Sequence, residues 1–300
     1  MNGRRRFTRG TPRKRGLSLL SAVAVLAAAV AGCATFELYQ GGQIFGTESG
    51  CGGDSPYRPA AKANAASITT LPLTPFGRPE LGWAVYAPAI AREAGTACPA
   101  DTPSFAAALA RWQFVHGLTA HGAVGPATFA AMKAAWQARR PFVTLRAKGV
   151  CPDPPKSLVA LTPAESRADR TVNLRPAALA ALRRMVAAAR REVPEIAANP
   201  ELLTVFSGYR DPADDDARCA REQNCQGLVR AECSAHRTGL AVDLVLGAAP
   251  GFAADSSDDA NRLYQSRTPA YLWLVVNARR FGFVNYVFEP WHWEWTGETP

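Results

Sequence analysis

The sequence predicts an α+β fold, a small antiparallel sheet with flanking helices preceded by a small all-α module. Between 176 and 193 the apolar residues Leu179, Leu182, Met185 and Val186 recur at helical spacing. At 240–244, and more plainly at 291–295, the pattern switches to alternation, so helix-period and strand-period segments share one region. The chain has only four histidines, at 116, 121, 236 and 292, and the last two stand beside carboxylates at those alternating stretches. The strands and the chemistry therefore coincide.

From the start of the chain, residues 1–16 carry seven basic side chains, at 4, 5, 6, 9, 13, 14 and 15, and no acidic one. The apolar run Leu17 to Ala31 that follows is 15 residues long, short of the roughly 20 needed to span a bilayer. Residues 1–32 thus read as an export signal. Val30-Ala31-Gly32-Cys33 resembles a bacterial lipobox, which implies that Cys33 is lipidated and holds the protein on a membrane, facing the periplasm. Ala34 after the cysteine favours the outer membrane in a Gram-negative cell.

Removing the seven basic leader residues from the total of 34 leaves 27 against 25 acidic ones. The mature chain is nearly neutral, and its charge gives no reason to expect a nucleic-acid partner. Six cysteines remain, at 51, 98, 151, 219, 225 and 233. In an oxidising compartment an even number points to disulfides, though six allow 15 pairings. Their distribution suggests Cys51 with Cys98 and two bridges among the other four. A metal site on Cys219, Cys225 and Cys233 is the alternative, without the short Cys-x-x-Cys pairs usual for zinc.

Residues 33–79 are rich in Gly, Pro, Ser and Thr and read as a tether of irregular structure. Residues 80–143 read as a helical module: Phe105, Leu109 and Trp112 recur at helical spacing, a glycine-punctuated loop spans Gly117 to Gly125, and Pro126 opens a second helix with Phe129, Met132 and Trp136 on one face. Trp112-Gln113 followed by Gly117-Leu118 through Thr128 resembles the three-helix peptidoglycan-binding module. His121 stands where that pattern has Asp. Residues 144–174 read as a proline-rich linker that joins the domains or packs along the second.

The catalytic domain is expected at 175–300. A helix follows Pro176 and ends before Pro194, Leu202 to Phe206 forms a strand delivering Tyr209 and Arg210, and a helix from Thr268-Pro269 carries Leu272, Val276 and Arg279 before Gly282 stops it. Ser234 to Leu244 and Glu289 to His292 hold the site. Seven residues of helix would separate His236 and Asp243 by about 10.5 Å, too far for two ligands of one ion, and one regular strand would point them to opposite faces. A bend is required, and Thr238-Gly239 supplies it, leaving His236 on a loop and Asp243 on a strand. In the second stretch Trp291, Trp293 and Trp295 take one face, His292 and Glu294 the other. Two His and one Asp leave a fourth zinc position open, the arrangement of a catalytic site.

Ser-x-His-x-x-Gly-x-Ala-x-Asp followed by Glu-Pro-Trp-His resembles the zinc D-alanyl-D-alanine carboxypeptidases of the VanY type. That family also contains VanX-like dipeptidases and L-alanyl-D-glutamate endopeptidases. The resemblance implies one Zn2+ held by His236, Asp243 and His292, with Glu289 as catalytic base. Ser207-Gly208-Tyr209-Arg210 matches a further motif in which the arginine faces the scissile carbonyl, and Ser234 is implied to hydrogen-bond substrate. Peptidoglycan stem peptides are the implied partners. The expected reaction is hydrolysis of the terminal D-Ala-D-Ala bond, with L-alanyl-D-glutamate cleavage, or wall binding without catalysis, as alternatives. The insertion 211–233 departs from the family spacing, and its Asp214-Asp215-Asp216 run reads as a solvated loop.

Overall fold

The computed structural model describes residues 48–52, 55–149, 151–167, 171–222 and 233–298, all within one compact unit, Gly41–Pro300. The export signal with Cys33 lies outside the described residues, as do Cys225 and the side chain of Cys219.

The helical region begins earlier than its composition indicates. Part of the stretch read as an irregular tether forms α1, Arg58–Ser67, opened by a proline in its first turn. A 3-10 turn, Ala84–Tyr86, leads into α2, Ala87–Ala94, and then come α3, Pro103–Val115, and α4, Pro126–Ala138. Thr102 caps α3 by accepting from the Phe105 amide at 3.3 Å, one of the orphan donors of a helix start. Phe105, Leu109, Trp112, Phe129, Met132 and Trp136 are buried together with Trp83, Tyr86 and Ile90, so the helical faces read from the sequence are the packed ones. Each such side chain contributes on the order of 1.5–3 kcal/mol by leaving water.

The glycine-punctuated loop is held by two buried amides. Gln113 accepts from Gly122 N at 2.8 Å and donates to Thr128 Oγ1 at 2.9 Å, while Asn64 of α1 donates to Gly122 O at 3.0 Å and accepts from Val124 N at 2.8 Å. His121, at the position where the module pattern has Asp, accepts from Ala123 N at 3.0 Å, and His116 stacks on Trp112 at 3.9 Å. Both histidines serve the loop.

After α5, Pro141–Ala147, Val159–Ala160 pairs with Asn173–Leu174 in a short antiparallel ladder. Helix α6, Pro176–Glu192, buries Leu179, Leu182 and Met185, and the short α7, Pro194–Ala198, follows. The first strand, β1, is Val205–Ser207 and starts later than expected, because Leu203 adopts a left-handed φ of 64° within a turn closed by Thr204 Oγ1 donating to Glu201 O. The acidic run is not a loop: it lies in α8, Pro212–Glu222, where Asp216 pairs with the buried Arg237 at 3.0 Å. Strand β2, Ala241–Leu244, precedes α9, Asp259–Gln265, and α10, Pro269–Asn277. Helix α10 is apolar all round, so its period misleads; Tyr271, Trp273 and Leu274 are buried, and Arg279, beyond its end, is exposed. Gly282, at φ 84°, turns the chain into β3, Phe283–Asn285, and β4, His292–Trp295, completes an antiparallel sheet in the order β1-β2-β4-β3.

This is the α+β architecture expected, with the helical region packed against the sheet domain. Val287, between β3 and β4, belongs to the helical region's core. Arg262 of α9, fully buried, donates to Glu80 at 3.0 Å and to Tyr86 Oη at 2.6 Å. Disulfides join Cys51 to Cys98, the expected pair, and Cys151 to Cys233, closing 47 and 82 residues. Bridges of that span typically contribute about 2–4 kcal/mol. Cys233 is thereby removed from any thiolate metal site.

Candidate metal centre

Asp243 on β2 and His292 on β4 are direct cross-strand partners, so the pleat sends both side chains to one face of the sheet. His236 arrives from a 3-10 turn, Ala235–Thr238, which Ser234 caps by accepting from His236 N at 3.2 Å. Gly239 ends that turn at φ 66°, where an added Cβ would meet Leu158, Pro155 and Arg175 at 3.2 Å. Only glycine gives both the backbone angle and the clearance.

The three donors converge. His236 Nε2 lies 3.1 Å from Asp243 Oδ2, His292 Nδ1 lies 2.9 Å from Asp243 Oδ1, and one ligand atom from each residue lies within 4.8 Å of the others. All three side chains are buried. Around zinc such donors stand about 3.3–3.5 Å apart, so this set fits the ion with little movement. Tautomers fit as well. His236 Nδ1 donates to Gly208 O at 2.7 Å, which leaves Nε2 unprotonated toward the site.

Burial opposes the Asp243 charge, but the two imidazoles outweigh it and hold the carboxyl well below its ordinary range. Burial, aided by Arg210, lowers His236 toward the neutral form a ligand needs. For His292 burial is overcome by Asp243 and Glu294, which raise it to about 9. A metal entering this site must therefore displace a proton.

Glu289 reaches the rim of the site, its Oε2 4.0 Å from His292 Nδ1 and its side chain a fifth exposed. Burial, with the nearby Asp243 charge adding to it, pushes its carboxyl up to about 7. Its turn is fixed from two sides: Asn285 Nδ2 donates to His292 O at 2.8 Å, and Arg262 Nε donates to Phe288 O at 2.8 Å. Arg210 enters from β1, with Nη1 3.4 Å from Ser234 Oγ and Nη2 3.3 Å from Ser207 Oγ. Every site residue singled out in the sequence thus belongs to one cluster, except Cys33.

Two residues of this cluster escaped the sequence reading. Glu294, also on the His292 face of β4, is buried with its Oε1 3.4 Å from His292 Nε2, an ion-pair contact short of a well-formed hydrogen bond. Arg140 Nε donates to the same oxygen at 2.6 Å. Alternation along β4 could have flagged Glu294; nothing local could have flagged Arg140.

Residues 171–298 match the model of a family described as VanY, D-alanyl-D-alanine carboxypeptidase. Among solved structures, that of the LdcB LD-carboxypeptidase is similar at 24% identity and a TM-score of 0.36, over 48% of this chain and 70% of that one. DacB from Streptococcus pneumoniae D39 is similar at 21% identity and a TM-score of 0.28, over 46% and 72%. No protein of curated function matches the sequence.

Proposed function

We propose that this chain removes the terminal D-alanine from peptidoglycan stem peptides using one zinc ion, because residues 171–298 match the model of the VanY D-alanyl-D-alanine carboxypeptidase family, a metallopeptidase family. The observation that carries the reading is the convergence of buried His236, Asp243 and His292 beside Glu289 and Arg210. A purely structural site would need neither of the last two.

Zinc in such a site lowers the pKa of a water toward 7 and polarises a carbonyl. The remaining work falls to the chain. Glu289, raised to about 7, accepts the proton of the attacking water and can return it to the leaving amine. Arg210, aimed by the hydroxyls of Ser207 and Ser234, faces the charge that develops on the carbonyl oxygen. Ser234, already accepting from His236 N, holds substrate only through its remaining hydrogen-bonding capacity. The buried setting strengthens each of these interactions relative to water.

Incubating the full mature chain with defined pentapeptide muropeptides should release D-alanine, seen by mass spectrometry as the loss of one alanine residue. Cleavage between L-alanine and D-glutamate instead would replace this reading with the endopeptidase one.

The match to a cell-wall enzyme family and two disulfides support a location outside the cytoplasm. No helix among the described residues is long and apolar enough to cross a membrane. We propose that Cys33 carries a lipid anchor, the lipobox resemblance being its support. Cys33→Ser should move the protein from the membrane to the soluble periplasmic fraction, and unchanged membrane retention would refute the anchor. The helical region is proposed to contact peptidoglycan, on the strength of its module-like pattern.

A further inference from the structure

A histidine that ligates through Nδ1 carries its proton on Nε2, and the group facing Nε2 sets ring orientation and basicity. Here that group is Glu294, whose side chain is 2% exposed. A carboxylate so deep in the protein needs a cation and fixed donors to stay charged and in place. Both come from outside the family-matched residues. Arg140, between α4 and α5, sets Nε and Nη2 each 2.6 Å from Glu294 Oε1, and the Phe142 amide donates to Oε2 at 3.1 Å. The guanidinium is itself clamped, its Nη1 donating to Gln137 at 3.0 Å and its carbon 4.0 Å above the Tyr286 ring. Tyr286 in turn meets the His292 ring edge-on at 6.0 Å. Opposite Glu294 on β2 stands Ala241, whose small side chain leaves room for this assembly.

We propose that Arg140 is a positioning residue of the metal centre: through Glu294 it fixes the ring of His292, which makes the helical region part of the zinc site's outer support. The proposal rests on the reading of His236, Asp243 and His292 as zinc ligands. Removing Arg140 frees Glu294 to turn away from Nε2, and His292 loses its fixed orientation.

The test is zinc affinity of the metal-free full-length protein, measured by competition with a chromophoric chelator. Arg140→Met and Glu294→Gln should each weaken zinc binding by about 10–100-fold, the usual range for outer partners of a ligand. The double variant should lose little more than the worse single one, because both act along one path. Arg140→Lys should recover part of the loss, since it restores the charge without the two-pronged contact. Arg139→Met is the control, for it breaks the Arg139–Glu93 pair at the same boundary without facing the metal site, and it should bind zinc normally. A folded Arg140→Met with unchanged affinity would overturn the proposal, as would equal weakening by Arg139→Met. Should Arg140→Met not fold, unchanged affinity in Glu294→Gln overturns it alone. If the unsubstituted chain binds no zinc, the zinc reading itself fails and takes this inference with it.

Discussion

His236→Ala, Asp243→Ala and His292→Ala should each purify with little or no zinc and with peptidase activity at background. Each removes one of only three convergent side chains, and no other group of three His, Cys, Asp or Glu among the described residues is placed to hold a metal. Zinc held by four protein ligands in small domains is worth about 10–16 kcal/mol, so one ligand accounts for several kcal/mol. Its loss should weaken binding by at least about 10²-fold. Asp243→Ala should be the worst of the three. Its carboxylate touches both imidazoles, at 3.1 and 2.9 Å, so removing it leaves two nitrogens facing each other with no anion between them. Asp243→Asn separates charge from packing: it keeps the shape and should fold, yet still bind zinc poorly. Metal analysis of the purified variants decides the matter, and an alanine variant with a full equivalent of tightly held zinc would remove that residue from the ligand set.

The faces of the two strands were legible from alternation, because a period of two assigns sides along a strand whatever it pairs with; the pairing and register that make Asp243 and His292 direct neighbours were not, since they depend on the partner strand. The bend at Gly239 was legible for a similar local reason: ligand geometry forbids both helix and straight strand. Helices α3, α4 and α6 followed from their spacing and prolines. What could not be read depends on distance along the chain. Arg140 and Glu294 are 154 positions apart, and Arg262 and Glu80 are 182 apart; each pair meets only after the helical region packs on the sheet. Helix α1 hid in a polar, alanine-rich stretch, because its key residue is Asn64, buried to bind a loop and not to fill a core. Asp216 is solvated as read, but its pairing with Arg237 could not be seen, because that partner stands across the insertion.

Glu289→Gln should keep its zinc and lose about 10²–10⁴ of the turnover rate, roughly 3–5 kcal/mol of barrier. The amide matches the carboxylate in size and hydrogen-bonding reach but cannot accept a proton, and Glu289 sits at the rim of the donor cluster, 4.0 Å from His292 Nδ1, outside the 4.8 Å set. The pH dependence gives a second, independent reading of the same residue. A base acts in its charged form, so a carboxyl raised to about 7 is half protonated there and loses tenfold in active form for each unit below. A bound cation favours the charged form and moves the limb down. The acid limb of kcat/KM should therefore fall at or below about 7, with unit slope, and Glu289→Gln should abolish that limb along with the rate. Zinc content, kcat and the pH profile measured on the wild-type and variant proteins separate the alternatives. A variant that lost zinc would make Glu289 a ligand, whereas one that kept both zinc and near-normal turnover would place the base elsewhere in the site.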